Sequence, residues 1–261
     1  MRSYLHYHLK RLKRGLLARM ALWSHRAGAM LGMEQTLPKL EFRLRPGQRD
    51  VIVFFPGIGD IAEDFDRRGF IREMERQGIT ADAMAVDAHY GYYAARTIHH
   101  RITDDVIASA RRTGYRRIWL AGISLGGFGV ASYAALHSSR LAGIILLAPY
   151  LGPPALIAEI AAAGSLAAWE PGQIEAPDHQ RQLWAWFRQR LTQEKGTRLP
   201  IYLGYGRQDM FAAANRLLAD ALPAERVFLL SGGHNWRTWR RLWRTMLSRL
   251  RESDTGAQRL L

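Results

Sequence analysis

Cysteine is absent from the 261 residues, which excludes disulfides, thiolate metal sites and a cysteine nucleophile. Long apolar runs are missing too. The stretch containing Leu16, Leu17, Met20, Leu22 and Trp23 is cut by Arg19 and followed by His25 and Arg26. It therefore offers neither a signal-peptide core nor the roughly 20 apolar residues of a membrane span. Acid is lacking at one end. Residues 1–26 hold seven Lys/Arg and no Asp or Glu, residues 27–236 hold 23 basic and 21 acidic side chains, and residues 237–261 hold seven basic and two acidic. Of the net charge of +14, +12 thus resides in the two ends. A nearly neutral body speaks against nucleic acid as the main partner. The expectation is a cytoplasmic protein, or one peripheral at an anionic membrane through its basic ends.

What is present is an ordinary globular composition, 48% hydrophobic and 23% charged with 24 glycines and 10 prolines. That fits one α/β-sized domain with a sizeable core. Three regions are expected: a basic amphipathic helix or tail over 1–36, a main domain over 37–251, and a tail over 252–261. Leu5, Leu9, Leu12, Leu16 and Met20 recur at helical spacing, with Lys10, Arg11, Lys13 and Arg14 largely off that stripe. Such a helix either lies on a lipid surface or docks on the domain.

The main domain alternates strand and helix. Strands are expected at 40–44, 51–55, 83–86, 118–121, 141–148, 201–205 and 227–230. Helices are expected between Asp60 and Gly78, over 103–112, from Gly126-Gly127 to about His137, over 211–222, and from about Trp236 onward. Unbroken apolar strands such as Val51-Ile52-Val53-Phe54-Phe55 imply a mainly parallel sheet covered on both faces. Residues 150–198 interrupt the rhythm with two helical stretches and are expected to form a small helical lid.

Ligands in such sheets bind beyond the carboxyl ends of the strands, so polar residues there carry the interest. Gly122-Ile123-Ser124-Leu125-Gly126 lies between a strand and a helix, the context in which flanking glycines permit a tight turn that exposes a serine hydroxyl. Asp209 follows the strand ending near Tyr205, where it suits a helix N-cap as well as a site. His234 follows Gly232-Gly233 directly after the last strand.

The order Ser, Asp, His, each just past a strand end, resembles the α/β-hydrolase superfamily over about residues 40–250. The resemblance implies an α/β-hydrolase fold and a serine hydrolase that cleaves a carboxylic ester, acyl or lipid-like, through an acyl-enzyme. In it Ser124 is the nucleophile, His234 the acid and base, and Asp209 the group that orients the imidazole. It also implies backbone oxyanion donors at Ile58 and Leu125, although Pro56 stands where histidine is frequent in the family. No cofactor and no metal are implied. A thioesterase or amidase would use the same three residues, and a non-catalytic membrane-peripheral binder on the same scaffold is the contrasting class.

The same turn, Gly57-Ile58-Gly59-Asp60-Ile61-Ala62, fits the dinucleotide pattern G-x-G-x-x-A, with Asp87 closing the next strand. Asp60, Glu63, Asp64 and Asp66 would repel a pyrophosphate at that helix start, which argues against it. His99 and His100 are adjacent, point apart in any regular element and read as surface residues. The lid's Leu156, Ile157, Ile160, Leu166, Trp169, Leu183, Trp184, Trp186 and Phe187 suit either packing or an acyl pocket. At the C-terminus Trp236, Trp239, Trp243, Met246 and Leu250 suit packing on the sheet.

Overall fold

The computed structural model describes residues 2–23, 36–192 and 199–254. Helix α1 (Arg2–Trp23) precedes β1 (Lys39–Phe42) and β2 (Asp50–Phe55). Two short helices follow, α2 (Glu63–Arg67) and α3 (Phe70–Gln77), before β3 (Asp82–Val86). Helix α4 (Tyr90–Ala94) leads to α5 (Ile98–Arg101), a π-helical stretch Ile102–Ala108, and α6 (Ser109–Arg112). Then come β4 (Arg117–Ile123), α7 (Leu125–His137) and β5 (Gly143–Leu147). Helices α8 (Pro154–Ala162) and α9 (His179–Thr192) separate β5 from β6 (Ile201–Gly206), and α10 (Ala212–Ala221), β7 (Val227–Leu230) and α11 (Trp236–Asp254) complete the chain.

The strands form one sheet in the order β1-β3-β2-β4-β5-β6-β7, antiparallel only at the β1–β3 pair. The central strands β2, β3, β4, β5 and β6 are buried along almost their whole length, which is why their sequences are apolar without alternation. At the edge, β1 is half-exposed and carries Lys39 and Glu41, charges that discourage pairing with another chain. Helix α7 is rich in Gly and Ala with few polar positions because most of it is buried, packed on β4 and β5 and against α9. On the other face the rings of Phe54, Phe65, Phe70 and Trp243 meet at 5.0–6.0 Å between centroids, locking α2, α3 and α11 to β2.

Several details differ from the expectations. The helix expected between Asp60 and Gly78 is two helices, because Gly69 adopts φ +82° and ends the first. The helix expected from Thr103 starts earlier, at Ile98. Residues 252–254, expected in a tail, continue α11, and the remainder of that tail lies outside the described residues. His99 is half-buried rather than a free surface residue. Its Nε2 lies 2.9 Å from the Ser132 hydroxyl of α7, and burial, with smaller contributions from His137 and His179, lowers its pKa to about 4. His100 is exposed and sits 3.1 Å from Asp104. Leu156, Ile157, Ile160, Leu166, Trp169, Leu183, Trp184 and Phe187 belong to the core, with the Trp184 Nε1 donating to the Leu151 carbonyl at 2.8 Å.

Candidate active site

Ser124 sits between β4 and α7 with φ 53° and ψ −115°, a conformation that costs a non-glycine residue about 1–3 kcal/mol. The surrounding chain enforces it. Ser124 N donates to the Leu147 carbonyl at 3.0 Å, and its carbonyl accepts from Tyr150 N at 3.0 Å. The turn also needs backbone to touch backbone: a Cβ on Gly122 would strike the Gly126 carbonyl, and one on Gly126 would strike that of Phe55.

The other two polar residues arrive on the far strands. Asp209 follows β6, its carboxylate fully enclosed, and Oδ1 accepts from Phe211 N at 2.9 Å, so the helix-entry role and the site role coexist. His234 follows β7 in a turn that ends on Asn235, whose Oδ1 accepts from Thr238 N at 3.1 Å and caps α11. Edges of Phe211 and Trp239 flank the imidazole, each with centroids 5.0 Å from it. Its Nδ1 lies 2.9 Å from Asp209 Oδ2 and 3.0 Å from Oδ1, and its Nε2 lies 2.9 Å from Ser124 Oγ. A carboxylate only accepts, so the proton sits on Nδ1 and Nε2 is left to accept from the serine. The structure thus brings together all three polar side chains singled out in the sequence.

Ile58 and Leu125 both line the cavity in front of Ser124. Leu125 is the first residue of α7, where an N–H has no partner within the helix. Ile58 sits in a turn closed by Asp60 N donating to the Gly57 carbonyl at 3.1 Å. The cavity measures about 590 Å³. Beyond Ser124 its walls are Tyr90, Tyr93, Phe128, Tyr150 and Phe211, with Arg96, His179 and Gln180 as polar members. From the expected lid Tyr150, Pro177, His179 and Gln180 reach it among the described residues; Leu156, Ile157, Ile160, Leu166, Trp169, Leu183, Trp184, Trp186 and Phe187 do not. Tyr90, Tyr93 and Arg96 went unnoticed in the sequence, although their place just past β3 is the kind of position at which ligands bind.

The acidic turn after β2 has an unexpected occupant. Tyr7 donates to Asp64 at 2.6 Å, Arg11 pairs with Asp64 and, at 3.3 Å, with Asp60, and Lys10 reaches Glu63 at 2.7 Å. Asp87 receives Lys10 at 3.1 Å and Arg14 at 2.8 Å. Helix α1 therefore docks by its charged face, while Leu9, Leu12 and Leu16 stay 57–73% exposed. Burial pushes the Asp60 carboxyl pKa up, against the opposing effects of Trp236 Nε1, donating from 3.1 Å, and Arg11. The acids Asp60, Glu63 and Asp64 of that turn are thus paired with cations of α1. Among the described residues, no cluster of three or more His, Asp or Glu is placed to hold a metal ion, and no helix is long and apolar enough to cross a membrane.

This sheet order, with a serine at a strained strand-to-helix turn, defines a hydrolase of the α/β-hydrolase superfamily. More narrowly, the chain belongs to the family described as serine aminopeptidase, S33, whose sequence pattern matches residues 46–180, just over half of the chain. That match includes Ser124 and stops before Asp209 and His234. Similar solved structures include S-formylglutathione hydrolase from Staphylococcus aureus, with TM-score 0.55 and 12% identity over 82% of this chain and 97% of that one. An esterase from Pyrobaculum calidifontis gives 0.54 and 16% over 94% and 92%. A monoacylglycerol lipase from Paleococcus ferrophilus gives 0.51 and 16% over 83% and 100%. Such low identities speak for the fold alone. No curated protein matches the sequence.

Proposed function

We propose that the protein is a carboxylic-ester hydrolase that works through an acyl-enzyme on Ser124. The observation that carries the reading is the continuous chain from Ser124 Oγ through His234 to Asp209, with contacts of 2.9 and 2.9 Å. On this reading Nε2 takes the serine proton as Oγ bonds to the ester carbonyl carbon, and the negative charge passes to the carbonyl oxygen. Amides of Ile58 and Leu125 receive that charge, a contribution of roughly 2.7–4 kcal/mol per donor. Collapse breaks the carbon–oxygen bond to the alcohol, which leaves with the proton from His234. Water then attacks with His234 as base, releasing the acid and restoring Ser124. Asp209 holds the Nδ1–H tautomer and offsets the charge on the imidazolium.

Thioesters and amides would follow the same steps with another leaving group. The pocket favours an ester over the peptide implied by the family's name: among the described residues lining it there is no carboxylate to hold a protonated peptide N-terminus. Treatment with a fluorophosphonate followed by peptide mass spectrometry tests the reading. It expects an adduct on Ser124 that disappears in Ser124→Ala and His234→Ala, and folded wild-type protein left unlabelled would refute it. The exposed leucines of α1 favour a second reading, that the enzyme works peripherally on an anionic membrane.

A further inference from the structure

Two features of the cavity play no part in the steps above. The first is Arg96. Helix α4 ends with Thr97 N donating to the Tyr92 carbonyl at 2.9 Å and Arg96 N to that of Tyr93 at 3.1 Å, the paired bonds of a Schellman motif. Arg96 holds the left-handed position of that motif, φ 58°, where glycine is the favoured residue. Its side chain lines the same cavity as Ser124, and its guanidinium has no ion-pair or hydrogen-bond partner among the described residues. An arginine there strains its own backbone; what the position gains is a planar fork of donors at the pocket.

The second is Tyr93, one turn earlier. Its hydroxyl is buried without a hydrogen-bond partner and lies against Gly129 of α7, where a Cβ would come within 2.7 Å of it. That hydroxyl is sealed against α7, so what Tyr93 offers the cavity is ring surface. No lining carboxylate among the described residues competes for the Arg96 guanidinium. The rest of the wall is aromatic, with Tyr150 in edge contact with Phe128 and Phe211 at 6.0 and 5.5 Å.

We propose that Arg96 forms an anion-recognition subsite, and that the substrate is an ester with an apolar or aromatic body carrying a carboxylate or phosphate. The proposal rests on the ester-hydrolase reading and names its substrate class. A guanidinium binds either anion through paired, charge-assisted hydrogen bonds.

The test compares kcat/KM for matched esters: mono-4-nitrophenyl adipate with its methyl ester, 4-acetoxybenzoate with methyl 4-acetoxybenzoate, and 4-acetoxyphenyl phosphate with its dimethyl ester. The first pair places the charge on the acyl side, the second and third on the leaving group, and the third distinguishes phosphate from carboxylate. At least one pair is expected to favour the anion roughly 10- to 100-fold, as befits a hydrogen bond to a charged group. Arg96→Gly, which suits the left-handed backbone, should melt no lower than wild type yet bring that ratio near one, and Arg96→Lys should leave it in between. Ratios near one for every pair, with Ser124 still labelled by fluorophosphonate, overturn the subsite and leave the hydrolase reading standing. A preference that survives in Arg96→Gly also overturns it. No labelling and no turnover of any ester removes both.

Discussion

Asp209→Asn is a near-isosteric change whose effect can be worked out from the contacts. In the native site Oδ1 accepts from both Phe211 N and His234 Nδ1, whereas Oδ2 faces His234 alone at 2.9 Å. An asparagine must put its oxygen where Oδ1 lies, since an NH2 there would confront the Phe211 N–H. Its NH2 then occupies the Oδ2 position and donates to Nδ1. The imidazole proton is driven to Nε2, which can no longer accept from Ser124. On the proposed mechanism kcat should fall about 10⁴-fold, some 5.5 kcal/mol in the barrier. KM should change little, because Asp209 does not line the cavity. Stopped-flow hydrolysis of a 4-nitrophenyl ester, with the rate of fluorophosphonate labelling alongside, measures the loss. An Asp209→Asn enzyme within tenfold of wild type, while His234→Ala is inactive, would refute the tautomer argument.

Two further predictions concern stability and location. His99 has its pKa lowered from 6.5 to about 4 in the fold, so the unfolded chain takes up a proton there first as pH drops. The stability this group contributes is complete above pH 6.5 and is lost as pH falls toward 4, at a slope of up to roughly 1.4 kcal/mol per pH unit. Denaturant titrations should show a flatter pH dependence for His99→Gln across that window; parallel curves would contradict it. If α1 lies on lipid, the wild type should float with vesicles rich in phosphatidylglycerol. A protein with Leu9, Leu12 and Leu16 all changed to Ser should lose at least about tenfold in binding, given the apolar area withdrawn. A wild type that stays with the pellet would end that reading.

The sheet and the three polar residues were legible in the sequence for a local reason. Buried parallel strands write themselves as short apolar runs, and the turn around Ser124 needs glycines at positions 122 and 126 that no side chain can replace. Asp209 and His234 followed from the rule that function gathers past strand ends. What was illegible depends on distant partners. The stripe Leu9–Leu12–Leu16 suggested an apolar docking face, yet the pairing of Lys10, Arg11 and Arg14 with Asp60, Asp64 and Asp87 turns that stripe outward. Nothing near His99 in the chain announces Ser132, which is supplied by another helix. The apolar residues of the expected lid match core and pocket equally well in sequence, and their surroundings put them in the core. Arg96 was hidden because an arginine ending a short helix is unremarkable until its backbone angle and the cavity are seen together.

His234 is carried by the turn after a four-residue border strand that has a neighbour on one side only. Ser124, by contrast, is anchored at the middle of the sheet. On the proposed mechanism, fraying at that margin would carry the imidazole off while the central strands stay intact, so turnover would be lost before ellipticity on heating. Reinforcing that border is then a way to lengthen the protein's active life that leaves the dense interior untouched.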